Sequence, residues 1–349
     1  MLTLLLGAGA CFAQKMPKAE MKALKAFVAQ PAAKGGNNAE ALGITDINNP
    51  SAWPGIKVNE AGHVTEIDWH GKNLAGTFSL TAFPALEKVN VYDNKISALS
   101  ITDMPSLTQI NAGRNSITDP VLVDCPKLEV VKLYKNRISE LDLSAMPLLK
   151  TLNVSSNKIE DLDVSNALNL QTLNCMSNSM EHLTLTGCQN LKTVYAGYND
   201  LTSIELAGLA NLQHLNLTGN KILKLYIQNM PALATLFVSD NHMTELAVND
   251  CPNLNDLFAP YNDLTSCTLN NCPQIQFVNL EWNDLTYLSL NNLNFLQRVN
   301  VANNQLTMLD VSFDPMLQYV NLSNNEMLDD FRTEGDTELA QVVGQWDNW

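Results

Sequence analysis

One asparagine recurs in this chain at a constant interval of 21 residues, and this interval constrains the fold more than any other feature. It is the ninth residue of an eleven-residue line that reads LEKVNVYDNKI at 86 and LQYVNLSNNEM at 317. The twelve copies are Asn94, Asn115, Asn136, Asn157, Asn178, Asn199, Asn220, Asn241, Asn262, Asn283, Asn304 and Asn325. Equal repeats without insertions predict coils that stack on one another into a solenoid.

The line follows the template L-x-x-L-x-L-x-x-N-x-L, which is the leucine-rich-repeat signature. Its L-x-L core predicts a short strand with side chains alternating inward and outward, and stacked copies would form one parallel sheet. Inward Leu, Ile and Val supply the core. The asparagine falls where the chain turns inward, so its amide is expected to satisfy backbone groups that would otherwise be buried without a partner.

The second half of each coil has a period-two pattern instead of a helical one. It reads LDL at 141, LDV at 162, LTL at 183, IEL at 204, LSL at 288 and LDV at 309. Such alternation predicts a second short extended segment. The predicted fold is a right-handed leucine-rich-repeat solenoid with a parallel concave sheet, short extended convex segments and a small helical N-terminal cap.

The predicted domain order has four parts. Residues 1–13 form a signal peptide; 14–63 form an N-terminal cap with a helix at 17–30 and a linker at 31–50. Residues 64–327 form one imperfect and twelve regular repeats, and 328–349 form a C-terminal cap or tail. The segment W-P-G-I, with Trp53, Gly55 and Ile56, resembles the N-terminal cap of plant-type and bacterial leucine-rich-repeat proteins.

The apolar run LTLLLGAGACFA is too short to span a bilayer and ends in small residues, as secretory signal peptides do. It predicts a secreted or cell-surface protein, with cleavage after Ala13. An alternative is a lipid anchor at Cys11, because AGAC resembles a weak bacterial lipobox. Plain export is the preferred interpretation, and no other segment is apolar enough to be a transmembrane span.

Charge and motifs exclude several functions. Asp and Glu outnumber Lys and Arg by 36 to 21, giving a net charge of −15, which argues against nucleic acid as a partner. The motifs G-x-S-x-G and H-E-x-x-H and a phosphate loop do not occur in the sequence, and the five histidines have no metal-ligand spacing. We therefore predict a non-enzymatic protein with neither cofactor nor metal.

Six cysteines follow the signal segment: Cys125, Cys175, Cys188, Cys251, Cys267 and Cys272. The repeat register places them in columns that elsewhere hold Met, Leu or other apolar residues, so they are expected to act as small buried hydrophobes. Cys251 and Cys272 are adjacent in one column, and a disulfide between them remains an alternative.

The variable positions around each strand should face solvent and provide recognition. Early and late repeats are polar there, whereas five middle coils are aromatic, over a width of roughly 20 Å at strand spacing. Pro260 is expected to project with them. The predicted binding surface comprises Tyr195, Tyr198, His214, Phe237, Asp256, Phe258, Tyr261, Phe277, Glu281 and Trp282. A secondary basic and aromatic cluster comprises Arg114, Lys132, Tyr134 and Lys135.

The 21-residue repeat, its two extended segments and its core cysteines resemble the internalin-type repeats of bacterial surface proteins, including those of Bacteroidetes. The resemblance covers about residues 51–327 and implies adhesion or protein recognition through the concave face. Protein binding is the first hypothesis. A second is glycan binding, with the central aromatic rings as stacking platforms.

Overall fold

A computed structural model describes residues 15–144 and 146–344 of the chain. The predicted signal peptide and the alternative anchor at Cys11 lie outside the described residues. The chain consists of two compact units, Met1–Leu128 and Glu129–Trp349. In the described ranges no helix combines the length and apolarity that a membrane span requires.

The first unit begins with helix α1 (Lys18–Val28), inside the range 17–30 predicted from the sequence. Its buried face carries Leu24, Phe27 and Val28. The ring of Phe27 stacks on the ring of Trp69 with centroids 5.8 Å apart, so the helix closes one end of the hydrophobic core.

Glu20 is buried on this helix, whereas the neighbouring apolar residue Met21 is half-exposed. The charge of Glu20 is compensated on both oxygens. Its Oε1 lies 2.6 Å from Nδ1 of His63, and its Oε2 accepts a hydrogen bond from the backbone N–H of Val64 at 2.9 Å. A carboxylate can be buried when it is paired and hydrogen-bonded in this way.

The segment predicted as a linker, residues 31–50, contains helical structure. It contains helix α2 (Asn38–Leu42), and a short 3-10 turn begins at its end (Pro50–Ala52). The side chain of Asn37 caps α2 by accepting a hydrogen bond from the backbone N–H of Glu40 at 2.9 Å. The Asn37-x-x-Glu40 spacing is the helix-start signal that the sequence interpretation missed.

The strands of the first unit form two sheets, in the orders β1-β2-β4-β6 and β3-β5-β7. They are β1 Ile56–Val58, β2 Val64–Asp68, β3 Ala75–Thr81, β4 Lys88–Asn90, β5 Lys95–Thr102, β6 Gln109–Asn111 and β7 Val121–Val123. Only the β1–β2 pair is antiparallel, and the pairs after it are parallel as expected for stacked coils.

The second unit is built on a long parallel sheet in the order β8-β9-β11-β13-β14-β16-β18-β20-β22-β24-β26. Its strands are β8 Val130–Lys132, β9 Thr151–Asn153, β11 Thr172–Asn174, β13 Thr193–Tyr195, β14 His214–Asn216, β16 Thr235–Phe237, β18 Asp256–Phe258, β20 Phe277–Asn279, β22 Arg298–Asn300, β24 Tyr319–Asn321 and β26 Gln341–Val343. Paired residues from β8 to β24 are 21 apart, because every coil has the same length.

The return halves of these coils form three smaller sheets, in the orders β10-β12, β15-β17-β19 and β21-β23-β25. Their strands are β10 Asp161–Asp163, β12 His182–Thr184, β15 Lys224–Gln228, β17 Glu245–Asn249, β19 Ser266–Asn270, β21 Tyr287–Ser289, β23 Met308–Asp310 and β25 Asp330–Arg332. Two predicted return segments, at 141–143 and 204–206, are not part of a strand. Leu141 and Ile204 there are only half-buried, so the coil is less regular at these places.

The described residues contain about 13 turns of this kind, and the predicted fold class, a leucine-rich-repeat solenoid, is confirmed. The segment predicted as a C-terminal cap or tail, 328–349, contains two further strands. Strands β25 and β26 add one more turn within the predicted C-terminal cap, and its register steps by 22 residues, with Asn321 opposite Val343.

The repeated asparagines line the inside of the turns, and Asn241 illustrates their hydrogen bonds. Its Oδ1 accepts from the backbone N–H of Ile222 at 3.1 Å. Its Nδ2 donates to the carbonyls of Leu217 at 3.0 Å and Val238 at 3.2 Å. One side chain thus joins two coils and satisfies groups that would otherwise be buried unpaired.

The six described cysteines carry free thiols, and five of them are buried, with Cys267 half-buried. The alternative of a Cys251–Cys272 disulfide is therefore not realised in this structure. Burial raises the pKa of the Cys125 and Cys188 thiols to about 11, so both stay protonated and pack as apolar groups.

Candidate binding surface on the long sheet

The predicted binding residues lie on five neighbouring strands of the long sheet, β13, β14, β16, β18 and β20, and in the turns that follow three of them. The middle residue of each three-residue strand is buried, and the flanking residues face outward, as the two-residue period of a strand requires. Outward positions therefore form rows along the sheet. The first row is Thr193, His214, Thr235, Asp256 and Phe277, and the second is Tyr195, Asn216, Phe237, Phe258 and Asn279.

Two pairs of aromatic rings stack on this face. The rings of Phe237 and Phe258 in the second row are 5.0 Å apart and inclined by 8°. The rings of Tyr261 and Trp282, in the turns that follow β18 and β20, are 6.0 Å apart and inclined by 12°. Offset stacking of this kind stabilises a pair by roughly 0.5–1.5 kcal/mol and holds the rings in fixed orientations.

The remaining predicted aromatics stand apart from these stacks. Tyr195 shares the second row but is separated from Phe237 by Asn216, and Phe277 lies in the first row next to Asp256. Pro260 was expected to project from this face, but it is buried.

Three exposed aromatics in the turns that follow the long-sheet strands occupy a backbone conformation that large side chains rarely adopt; Phe313, which lies outside these turns, shares it at φ 63°. Tyr198, Tyr261 and Trp282 have φ of 57°, 55° and 54°, and their exposed fractions are 54%, 55% and 51%. The same turn position holds Gly219 and Asp240 in the coils between them, residue types that tolerate positive φ. A bulky residue there costs roughly 1–2 kcal/mol. The local backbone energy therefore does not explain why aromatic residues occupy these turns.

Gly219 makes room for Tyr198, a role that the sequence interpretation missed. A Cβ atom on Gly219 would lie 2.7 Å from Cδ1 of Tyr198. The signal was available, because Gly219 follows Tyr198 by one repeat of 21 residues and so occupies the neighbouring turn.

Two carboxylates lie among the aromatic residues of this surface. Asp256 is half-buried, and desolvation raises the pKa of its carboxyl above the ordinary value. Glu281 is fixed by Nδ2 of Asn300, which donates to its Oε2 at 2.9 Å, and by Nδ2 of Asn279, which donates to its Oε1 at 3.4 Å.

His214 is engaged by a neighbour in its own row. Its Nδ1 lies 2.9 Å from the hydroxyl of Thr235. Each of the other histidines lies beside a carboxylate, for example His182 beside Asp161 at 2.8 Å. Within residues 15–144 and 146–344, no group of three or more His, Cys, Asp and Glu is arranged to hold a metal ion.

The secondary cluster is divided between the two units. Arg114 belongs to the first unit, where its Nη1 donates to the hydroxyl of Tyr92 at 3.3 Å. Lys132, Tyr134 and Lys135 belong to the second unit, and both lysines are exposed. A role in binding for this basic and aromatic cluster stays a prediction.

No protein-family model and no curated protein matches the sequence of this chain. Solved structures match its fold. The functional domain of InlJ from Listeria monocytogenes, which includes a cysteine ladder, superposes with a TM-score of 0.54 at 23% identity. That match covers 76% of this chain but only 53% of the InlJ domain, so this chain corresponds to about half of that length.

Two further structures show the same architecture. The internalin InlF from Listeria monocytogenes has a TM-score of 0.61 at 17% identity, covering 95% of this chain and 98% of InlF. The leucine-rich-repeat domain of FLRT2, solved in an octameric complex with Latrophilin 3 and Unc5D, has a TM-score of 0.52 at 16% identity, covering 64% of this chain and 76% of that chain. The structural neighbours are thus internalin-like and other leucine-rich-repeat proteins, and at these identities the likeness establishes the fold.

Proposed function

We propose that this protein is a non-enzymatic binding module that recognises another protein outside the cell. Its binding site is the aromatic surface, which we define as Tyr195, Tyr198, His214, Phe237, Asp256, Phe258, Tyr261, Phe277, Glu281 and Trp282. The observation that carries the proposal is the placement of large exposed rings at turn positions where Gly, Asp or Asn would be less strained. Strain that the fold does not require supports a functional role.

The composition of the surface supports protein recognition. Tyr and Trp are enriched among the residues that dominate binding energy at protein interfaces, because they bury a large area at a small entropic cost. Tyr261 and Trp282 are already oriented by stacking, so less conformational freedom is lost when a partner covers them. A neighbour of similar fold, the FLRT2 domain, was solved in complex with other proteins.

Catalysis is a weaker interpretation of the same face. The hydrogen bond between His214 and Thr235 places a base beside a hydroxyl group. A catalytic triad also needs a carboxylate on the other nitrogen of the imidazole. The carboxylate in this row belongs to Asp256. Thr235 lies between His214 and Asp256, so Asp256 does not lie beside the imidazole of His214.

Glycan binding is the second candidate function, favoured by one observation: Tyr261 and Trp282, whose rings stack on each other, are each about half exposed, as a sugar-stacking platform requires. Binding screens of the exported protein against displayed extracellular proteins and against a glycan array separate the two functions. We expect a protein ligand whose binding falls at least tenfold in Phe258→Ala and Trp282→Ala.

The matched control is Tyr287→Ala, which removes an equally exposed aromatic from the return strand β21. Sugar binding that is lost in Phe258→Ala and Trp282→Ala would replace the protein proposal by the glycan alternative. Ligands that bind all three variants like the wild type would refute the aromatic surface as the site.

The proposed location is the cell exterior, either secreted or on the cell surface, and it depends on export through residues 1–13. Expression of the chain in a bacterial host tests it, with mass spectrometry of the mature N-terminus. A terminus at Gln14 supports cleavage after Ala13, a lipid-modified terminus at Cys11 supports the anchor, and retention of Met1 in the cytoplasm contradicts export.

A further inference from the structure

Charge is distributed unevenly over the aromatic surface. The five coils contribute four outward or turn positions each: the first row, the second row, and the two turn positions that follow. The turn positions are Gly197, Tyr198, Thr218, Gly219, Ser239, Asp240, Pro260, Tyr261, Glu281 and Trp282. These twenty positions include three carboxylates, Asp240, Asp256 and Glu281, and neither Lys nor Arg, although the chain has 21 of these cations.

The carboxylate of Asp256 lacks compensation. Among the described residues, no hydrogen-bond donor and no cation lies within bonding distance of its side chain, and it is half-buried. Its neighbours in the first row are Thr235 and Phe277, and Phe258 follows it on the same strand by two residues. A partly desolvated carboxylate beside aromatic rings is less well solvated than one in bulk water, and a cation that reaches it stabilises its charged form.

The rings themselves attract cations through their π faces. Glu281 directly precedes Trp282, and its carboxylate is held in place by Asn279 and Asn300. Each stacked pair therefore has an acidic residue within two positions in the sequence: Asp256 precedes Phe258 by two residues, and Glu281 directly precedes Trp282. Arginine fits such a site better than lysine, because a planar guanidinium stacks on a ring and donates to a carboxylate at the same time.

We propose that the partner presents an arginine side chain to the aromatic surface, where its guanidinium binds the carboxylate of Asp256 and stacks on the adjacent ring of Phe258 or Phe277. This inference rests on the proposed function and specifies the chemistry of the partner. Glu281 beside Trp282 offers a second position of the same kind, so a partner segment with two spaced arginines would bind more tightly than one with a single arginine.

The test uses three synthetic pentapeptide amides that alternate glycine with arginine, lysine or citrulline. Citrulline has the shape of arginine without its charge. The protein is titrated with each peptide at 150 mM salt, and the heat of binding is measured by calorimetry. We expect the arginine peptide to bind at least tenfold more tightly than the citrulline peptide. The lysine peptide should bind at an intermediate level.

Two charge-matched variants locate the site. Asp256→Asn should weaken binding of the arginine peptide by roughly fivefold or more. Asp329→Asn removes the same charge from an exposed position outside the surface and should leave binding within a factor of two. Equal effects of the two variants would indicate attraction by the overall negative charge and would overturn the inference, as would equal affinity for the arginine and citrulline peptides.

The failure of this inference is distinguishable from the failure of the proposed function. A protein ligand that loses affinity in Trp282→Ala but binds normally to Asp256→Asn, and whose own arginines can be replaced without effect, would retain the aromatic surface as the site and overturn the arginine contact. A ligand sensitive to Asp256→Asn and to replacement of one of its arginines supports both.

Discussion

The middle and the last coils of the second unit depart from the repeat at different kinds of position: the middle coils at exposed positions and the last coils at a buried one. The middle coils, from Thr193 to Trp282, keep an apolar core and change the exposed positions to aromatic residues. The last coils keep asparagines in the second outward row, at Asn300 and Asn321, and change the core, because Asp314 stands in the buried column that holds Cys272 and Leu293 in the two preceding coils. Under the proposed function, departures at exposed positions change what the sheet can bind, whereas departures at buried positions change stability.

The inward change has a clear electrostatic consequence. Asp314 is fully buried; its Oδ1 accepts a hydrogen bond from the backbone N–H of Leu293 at 2.6 Å, and its Oδ2 has no partner. Asp336 repeats the arrangement one coil later and accepts from the backbone N–H of Asp314 at 2.9 Å. Burial, reinforced by the carboxylates of Asp336 and Asp310, raises the pKa of Asp314 to about 8.

The largest expected effect concerns the inward asparagines, which both regions share. Asn241→Ala would leave the N–H of Ile222 and the carbonyls of Leu217 and Val238 without this partner, so we expect a loss of about 3 kcal/mol in the free energy of unfolding. Urea denaturation followed by circular dichroism measures it. The outward Asn216→Ala serves as control and should cost under about 1 kcal/mol. Equal losses would remove the distinction between inward and outward positions.

A smaller effect, with a definite pH dependence, is expected for Asp314→Asn. Because the pKa is raised from 3.8 to about 8, the folded protein holds a proton that the unfolded chain releases. Asp314 therefore makes stability fall as the pH rises from about 4 to about 8. The amide cannot ionise, so the variant should match the wild type near pH 4 and exceed it at pH 8.5. The full pKa difference would give roughly 6 kcal/mol, and we expect about 2 kcal/mol because local relaxation and water penetration reduce the cost of the buried charge. Parallel pH profiles of the two proteins would contradict a buried proton at this position.

The smallest effect is expected on the outside. Tyr198→Asn replaces an aromatic residue at φ 57° by a residue that tolerates this conformation, and stability should rise by about 0.5 kcal/mol while binding to the partner weakens. Tyr287→Asn, in an ordinary strand, should lower stability slightly instead. A clear loss of stability in Tyr198→Asn would show that its ring is needed for packing over Gly219, and the aromatic surface would lose one of its binding residues.

The sequence predicted the regular part of the fold because one interval assigns every position. Counting by 21 puts Phe237 beside Phe258 and Tyr261 beside Trp282, and both pairs are neighbours in the structure. The same count would have placed Asp314 in the buried column, since Asp314-Pro315 continues the series of Met230-Pro231 and Cys251-Pro252. An acidic residue was not expected in an apolar column, so this signal was missed.

Other features of the structure could not be predicted from the 21-residue interval. The last turn steps by 22 residues, so the interval no longer applies after Asn325. The stacking of rings and the isolation of the Asp256 carboxylate depend on side-chain rotamers and on packing between coils, which a residue pattern does not specify.

The constant register between strands also has a consequence for how such a surface changes. Because residues 21 apart are lateral neighbours, duplication or deletion of one whole 21-residue segment adds or removes a single strand and leaves every other pair of neighbours intact. A segment of two repeats such as 235–276 therefore contains the Phe237–Phe258 ring pair and the carboxylate of Asp256, and these can be transferred together. Ligand specificity in this architecture can be rearranged by recombination of intact coils, with no need to redesign the backbone that presents them.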